Sequence, residues 1–304
     1  MITPHFSPPR SGPRTTVLGL VQMSSSPEKA KNVDKALQGI GDAAARGAEI
    51  VCLQELFASP YFCQDEDAAA FELAEPLDGP TVQAVAKAAR ERAVTVIASV
   101  FERRAPGVYH NSIVVLGPTG EQLGVYRKMH IPDDPQFMEK YYFTPGDLGF
   151  QTVNTPRAAV GPLICWDQWY PEAARLTALR GAEVLVYPTA IGWLPEEKAE
   201  HGAAQLDAWQ TVQRGHAIAN GVFVVAVNRV GIEGPPERCI EFWGHSFVCD
   251  PFGRVIAEAG TGEEVLIAEC DLSGIEEVRQ TWPFLRDRRI DAYDGLDKRW
   301  LADS

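Results

Sequence analysis

The stretch RGAEIVCLQE (residues 46–55) recurs as RGAEVLVYPT (residues 180–189), and the layout of the chain follows from that recurrence. In each copy a glycine, Gly47 or Gly181, stands where a helix would end, and a short apolar run follows it. Each copy therefore reads as helix, turn and buried strand. A second pair keeps the same spacing of 134 residues: NSIVVLGPTG (111–120) parallels HSFVCDPFG (245–253). In both, a strand enters a Pro and Gly turn and returns, over Gln122 to Tyr126 and over Arg254 to Ala257, the pattern of a hairpin. Between these landmarks each half sets a helix-like stretch before a β-rich one, Val82 to Arg92 before Val94 to Val100 and Ala204 to Asn220 before Val222 to Val227. Two copies are too few for a repeat array, so two halves packed on each other are expected. Strands that are apolar throughout need cover on both faces, which puts sheets inside and helices outside. The competing reading is chance likeness between αβ units, which recur in unrelated folds.

Composition narrows the function. With 45% hydrophobic and 23% charged residues the chain of 304 is ordinary globular protein, and no run approaches the ~20 apolar residues of a spanning helix. The opening MITPHFSPPRSGPR lacks the apolar centre of a secretory signal and is expected to form an arm over residues 1–14. Acids outnumber bases 41 to 28, a net charge of -13, which argues against nucleic acid or anionic membrane as partner and suits a cationic ligand. Six cysteines without CxxC spacing point to a reduced, cytoplasmic protein. The six histidines show no metal-ligand spacing and there is no phosphate-binding glycine loop, so neither a metal nor an organic cofactor is expected.

Chemistry is expected just past strand ends, where αβ folds open their sites. Glu55 follows Ile50 to Leu53, Lys128 follows Leu123 to Tyr126, and Cys165 ends the run Ala158 to Ile164. Each has a bland reading: an inert buried thiol, a capping carboxylate, a charged strand edge. The surroundings of Cys165, CWDQWYP, with two Trp and one Tyr, suggest a lined pocket. A Cys–His pairing with His130 or His216 is the other conceivable arrangement, although His216 in GHAIAN reads better as a packing histidine.

The segments QELF around Glu55, YRKMHIPDDPQFMEKYYFTPGD around Lys128 and CWDQWYPEAARLTALRGAE around Cys165 resemble, in order, those of the nitrilase superfamily of carbon-nitrogen hydrolases. The likeness runs from about Thr16 to Trp300. It implies a four-layer αββα sandwich with an internal pseudo-twofold and a single α/β domain over 15–275; the tail over 276–304, with aromatics among alternating charges, is expected to form an interface in a homo-oligomer, and the likeness points the same way. It also implies a catalytic Glu55, Lys128 and Cys165 and a second acid Glu139; the backbone N–H of Trp166, next to the thiol, is expected with Lys128 to hold the oxyanion. The segments YFCQ, YPTAIGW and FLRDRRIDAY resemble members that hydrolyse a ureido C–N bond in a small cationic substrate. Tyr61, Asp134, Trp169, Trp193, Glu196 and Glu197 are the expected substrate contacts. Where relatives usually read GNSF, this chain has Gly244-His245-Ser246-Phe247. The alternatives are another amidase of the superfamily, such as one acting on N-carbamoyl-β-alanine, and a catalytically silent interaction protein on the same fold.

A free thiol, pKa near 8.5, and a free Glu, near 4.3, are separated by about 4.2 units, or ~5.7 kcal/mol for a proton moved between them. The surroundings of the site must narrow that gap.

Overall fold

The computed structural model describes residues 14–302, so the arm expected over 1–14 lies, except for Arg14, outside the described residues. Arg14 itself donates to Glu183 of the second RGAE copy at 2.6 Å. The strands in chain order are β1 (Thr15–Gln22), β2 (Ile50–Leu53), β3 (Thr95–Ala105), β4 (Val108–Leu116), β5 (Gln122–Arg127), β6 (Val153–Asn154), β7 (Ala159–Pro162), β8 (Val184–Pro188), β9 (Gly192–Trp193), β10 (Phe223–Val227), β11 (Val230–Glu233), β12 (Ile240–Trp243), β13 (Phe247–Cys249), β14 (Val255–Glu258) and β15 (Glu264–Asp271). The helices are α1 (Lys29–Ala45), α2 (Pro80–Arg92), α3 (Pro171–Leu179), α4 (Pro195–Asn220) and α5 (Gly274–Thr281). No helix of the described residues is long and apolar enough to cross a membrane.

The two halves read from the sequence are the two sheets. One runs β15-β1-β2-β3-β4-β5 and the other β14-β13-β10-β8-β7-β6; β2 and β8, the two copies of the opening motif, are interior strands of each. Gly47 and Gly181 take φ of +89° and +95° just past α1 and α3, conformations open to glycine without the steric strain a side chain would add. Alternation along the strands separates two environments. Leu18, Leu20, Cys52, Ile97, Ile113 and Val115 face the other sheet and join Val160, Val184, Val186 and Val225 in one core. Val21, Val51, Leu53, Val96, Ala98 and Val114 face outward, against Ala36, Ile40 and Ala43 of α1 and Val82, Val85 and Ala89 of α2. Helix α1 lies close on the sheet because small residues meet there: a Cβ on Gly19 would stand 2.7 Å from that of Ala43. With α3 and α4 on the outer face of the second sheet, the layers are αββα.

The edge strands cross over. β15, made last by the second half, lies antiparallel to β1 in the first sheet, with Thr15 opposite Asp271 and Gln22 opposite Glu264. β6, which follows the hairpin of the first half, lies antiparallel to β7 in the second sheet. Each sheet is thus completed by chain from the other half.

Three elements depart from expectation. Helix α4 begins at Pro195, not Ala204, because proline at the first helical position and Glu196 and Glu197 in the first turn suit the positive end of a helix. Strand β3 runs on to Ala105 as an exposed ribbon paired with β4 across a tight turn, where no apolar pattern is required. Helix α5 spans the expected boundary at 275/276.

Candidate active site

Strand ends of both sheets converge on one buried cluster. Glu55 lies two residues past β2 and Lys128 one past β5, in the first sheet; Cys165 opens a single helical turn, Cys165–Trp169, after β7 in the second. Lys128 Nζ donates to Glu55 Oε1 at 2.8 Å and to Glu139 Oε2 at 2.7 Å, and all three side chains are closed to solvent. Cys165 keeps 6% of its surface exposed, so it is the member of the group that a substrate can reach.

The two carboxylates of this core have further hydrogen-bond partners at every oxygen but one. Glu55 Oε1 also accepts from Asn111 Nδ2 at 2.7 Å, and Glu139 Oε1 accepts the Tyr61 hydroxyl at 2.7 Å. Glu55 Oε2 is buried and has no hydrogen-bond partner among the described residues. A buried carboxylate oxygen left in this way is costly unless a ligand or a reacting proton meets it.

Charge sets the resting state. Burial pushes the Cys165 thiol pKa well up, Glu55 pushes it further, and Lys128 pulls it back only in part, so the free site holds a thiol. Burial works to lower Lys128, but Glu139 and Glu55 together raise it well above the ordinary lysine value, so it stays an ammonium. Burial raises Glu139 to about 7 against the pull of Lys128.

The backbone is held in a sparsely populated conformation at two points. Cys165 has φ +42° and Leu56, directly after Glu55, has φ +48°. Non-glycine residues held there cost of order 1–3 kcal/mol and need fixing by their surroundings. The Glu55 loop is fixed by Arg229, a fully buried residue between β10 and β11. It donates to Glu55 O at 2.7 Å, Leu56 O at 3.2 Å and Ser59 O at 3.3 Å, and pairs with Glu233 at 2.9 Å. Glu233 in turn accepts the Tyr61 amide at 2.5 Å. Trp166 supplies the first amide of the turn after Cys165, one of those that a helix start leaves without an intrahelical acceptor.

Of the residues expected at the site, Glu55, Lys128, Glu139 and Tyr61 form one hydrogen-bonded chain, and Cys165 lies within its field. Tyr61 is buried and its hydroxyl is committed to Glu139. Trp169 packs edge-on to Trp166 at 6.4 Å, with its indole Nε1 buried and unpaired among the described residues. Trp193 donates to Gly202 O at 3.0 Å and lies 4.7 Å under Lys198 Nζ. Asp134 and Glu196 are exposed, and Glu197 accepts from Gln205 at 3.0 Å; no hydrogen bond joins these acids to the buried cluster among the described residues. His130 bonds Asp167 and His216 bonds Gln168 O, and neither bonds Cys165. His245 pairs with Glu258 at 2.9 Å. Sequence reasoning missed Asn111, Arg229 and Asp167; the signal for the first was an amide just before the apolar run Ile113–Leu116.

A thiol, an ammonium and a carboxylate with a free oxygen thus stand together at strand ends of an αββα sandwich. The chain is a member of the carbon-nitrogen hydrolase family, whose pattern matches residues 17–280. It is 44% identical, over 93% of its length and 95% of the relative's, to an N-carbamoylputrescine amidase of Arabidopsis thaliana. It is 40% identical, over 93% and 98%, to a citrullinase of Francisella tularensis. Among solved structures, a carbon-nitrogen hydrolase from Helicobacter pylori G27 superposes with a TM-score of 0.92 at 47% identity, covering 95% of this chain and 100% of that one. The protein is a hydrolase acting on C–N bonds, which sets aside the catalytically silent reading.

Proposed function

We propose that the protein hydrolyses the ureido C–N bond of N-carbamoylputrescine to putrescine, carbon dioxide and ammonia, with Cys165 as nucleophile. The observation that carries the chemistry is the unpartnered Glu55 Oε2 in the cluster around Lys128, beside a thiol that rests protonated. Sulfur attacks the ureido carbon as Glu55 takes the thiol proton, which removes the cost of a free thiolate in a buried site. Lys128 Nζ and the Trp166 N–H hold the oxyanion, an effect worth about 3–4 kcal/mol per donor. Glu55 passes the proton to departing ammonia, and a carbamoyl thioester remains on Cys165. Water then gives a proton to Glu55 and adds to the carbonyl; the sulfur leaves and recovers that proton. The released carbamate loses carbon dioxide. Glu139, held by Tyr61, keeps Lys128 in place and charged.

The substrate follows from the named relatives, whose ureido compounds differ at the far end. An ammonium four methylenes from the ureido group needs a carboxylate or several carbonyls. Asp134, Glu196 and Glu197 are the acids we assign to it, with Trp169 and Trp193 along the alkyl chain. The test is ammonia release from N-carbamoylputrescine, citrulline, N-carbamoyl-β-alanine and neutral N-butylurea. kcat/KM is expected at least ten-fold higher for the first, about 1.4 kcal/mol of discrimination. Equal turnover of N-butylurea removes the cation from the reading and leaves the Cys165 chemistry standing.

We also propose a homo-oligomer in the cytoplasm. Exposed Trp282, Phe284, Ile290, Leu296, Trp300 and Leu301 in the tail support an interface, and six buried free thiols support a reducing compartment.

A further inference from the structure

Asp167 is a fully buried carboxylate two residues past Cys165, and its four bonds share one layout. Oδ2 accepts the Ile164 amide at 3.0 Å and the Tyr126 hydroxyl at 2.7 Å. Oδ1 accepts the His130 amide at 3.1 Å and contacts His130 Nδ1 at 2.7 Å; because a carboxylate only accepts, the ring proton sits on Nδ1. Ile164 is the residue before Cys165. Tyr126 and His130 stand two residues before and two after Lys128. One side chain therefore ties the turn that carries the thiol to both flanks of the segment that carries the ammonium, across the boundary between the two sheets.

The other end of the turn is held by the same partner. The His130 ring stacks on Tyr170, with centroids 3.7 Å apart and planes 5° off parallel, and the Tyr170 amide donates to Asp167 O at 3.2 Å. Between these two anchors Cys165 takes its left-handed φ of +42°. A bulky residue persists there only when its surroundings over-determine it.

We propose that Asp167, with Tyr126 and His130 as its two arms, is a positioning residue that fixes the distance and attitude of Cys165 Sγ relative to Lys128 Nζ. The proposal rests on the reading of Cys165 as nucleophile and Lys128 as oxyanion donor. A shift of about 1 Å between two such groups is enough to cost about a hundred-fold in rate. Asparagine at 167 presents an amide NH2 to one of the two donor pairs. It therefore keeps the volume and loses one anchor.

The experiment compares the wild type with Asp167→Asn, Tyr126→Phe, His130→Asn, His130→Ala and the double variant Tyr126→Phe/His130→Ala. The readouts are kcat and KM from ammonia release, melting temperature, and the rate at which iodoacetamide alkylates Cys165, followed by mass spectrometry of that peptide. Asp167→Asn is expected to lower kcat about thirty-fold or more with KM within about three-fold, and to slow alkylation about ten-fold. His130→Asn, whose amide can replace the Nδ1–H donor, should keep most of kcat, whereas His130→Ala loses about ten-fold. A merely structural role gives a different pattern: a lower melting temperature, unchanged kcat per folded molecule, and faster alkylation as the site opens. If Asp167→Asn does not fold, the double variant decides, and turnover and alkylation within two-fold of wild type overturn the proposal. Alkylation needs no substrate, so a wild type that releases no ammonia from N-carbamoylputrescine refutes the substrate reading and leaves this test intact. A wild type labelled at other cysteines and never at Cys165 overturns both.

Discussion

Glu139→Gln should make the protein progressively more stable than the wild type as pH rises, although it removes a bond to a buried lysine. In the wild type the Glu139 carboxyl has a pKa of about 7 against an ordinary 4.5, because burial outweighs the help of Lys128 at 2.7 Å. The folded chain therefore holds a proton between about pH 4.5 and 7 that the unfolded chain has released. Stability falls over that window and is level above it. Two and a half units correspond to about 3 kcal/mol in full, of which about 2–3 kcal/mol develops between pH 5 and 8. Glutamine does not titrate, and the carboxylates and histidines outside the buried cluster are common to both proteins and cancel in the difference. Urea unfolding of both proteins at half-unit steps from pH 5 to 8 measures it. Turnover should fall about ten-fold, since Lys128 is then anchored by one carboxylate and Tyr61 and Lys128 compete for one amide oxygen. Stability curves that run parallel from pH 5 to 8 would refute the raised carboxyl and with it the charge balance drawn for the site.

Cys165→Ser should fold as the wild type does and lose turnover by at least about a thousand-fold, because a hydroxyl is far harder to ionise than a thiol; intact mass after substrate should show an adduct on the wild type alone. Arg229→Lys should lose at least two of the four bonds to Glu55, Leu56, Ser59 and Glu233, and so about 3–5 kcal/mol of stability in urea unfolding, with unchanged stability counting against the clamp. Truncation after Thr281 should dissociate or precipitate the assembly, and a wild type that light scattering shows to be a monomer would rule out the interface assigned to the tail.

How far the sequence could be read depended on the range of each interaction. Gly47 and Gly181, each followed by an apolar run, are local signals, and they located the interior strands β2, which ends two residues before Glu55, and β8. Glu55, Lys128 and Cys165 could be singled out as charged or reactive side chains at the ends of buried strands, but only the family resemblance set them above their bland readings. Arg229 was not legible. It sits in VNRV, where an arginine reads as a surface charge, and the carbonyls it holds are 170 to 174 positions away. Asp167 was in plain view, but a carboxylate after a thiol looks alike whether it faces solvent or accepts four bonds. The two-residue strand β6 had no periodicity to reveal it.

The exchange of β6 and β15 bears on the order in which the protein is made. A ribosome delivers Glu55, Lys128 and Glu139 early, but β1 lacks its outer neighbour until Asp271 has been synthesised. Through most of translation, then, an unpaired edge of hydrogen-bonding groups stays open, a template for pairing with other chains. Chains that stop short leave that edge bare and are candidates for aggregation or proteolysis. The first sheet is therefore closed only by β15, the last strand in chain order, long after the segments that carry Glu55, Lys128 and Cys165.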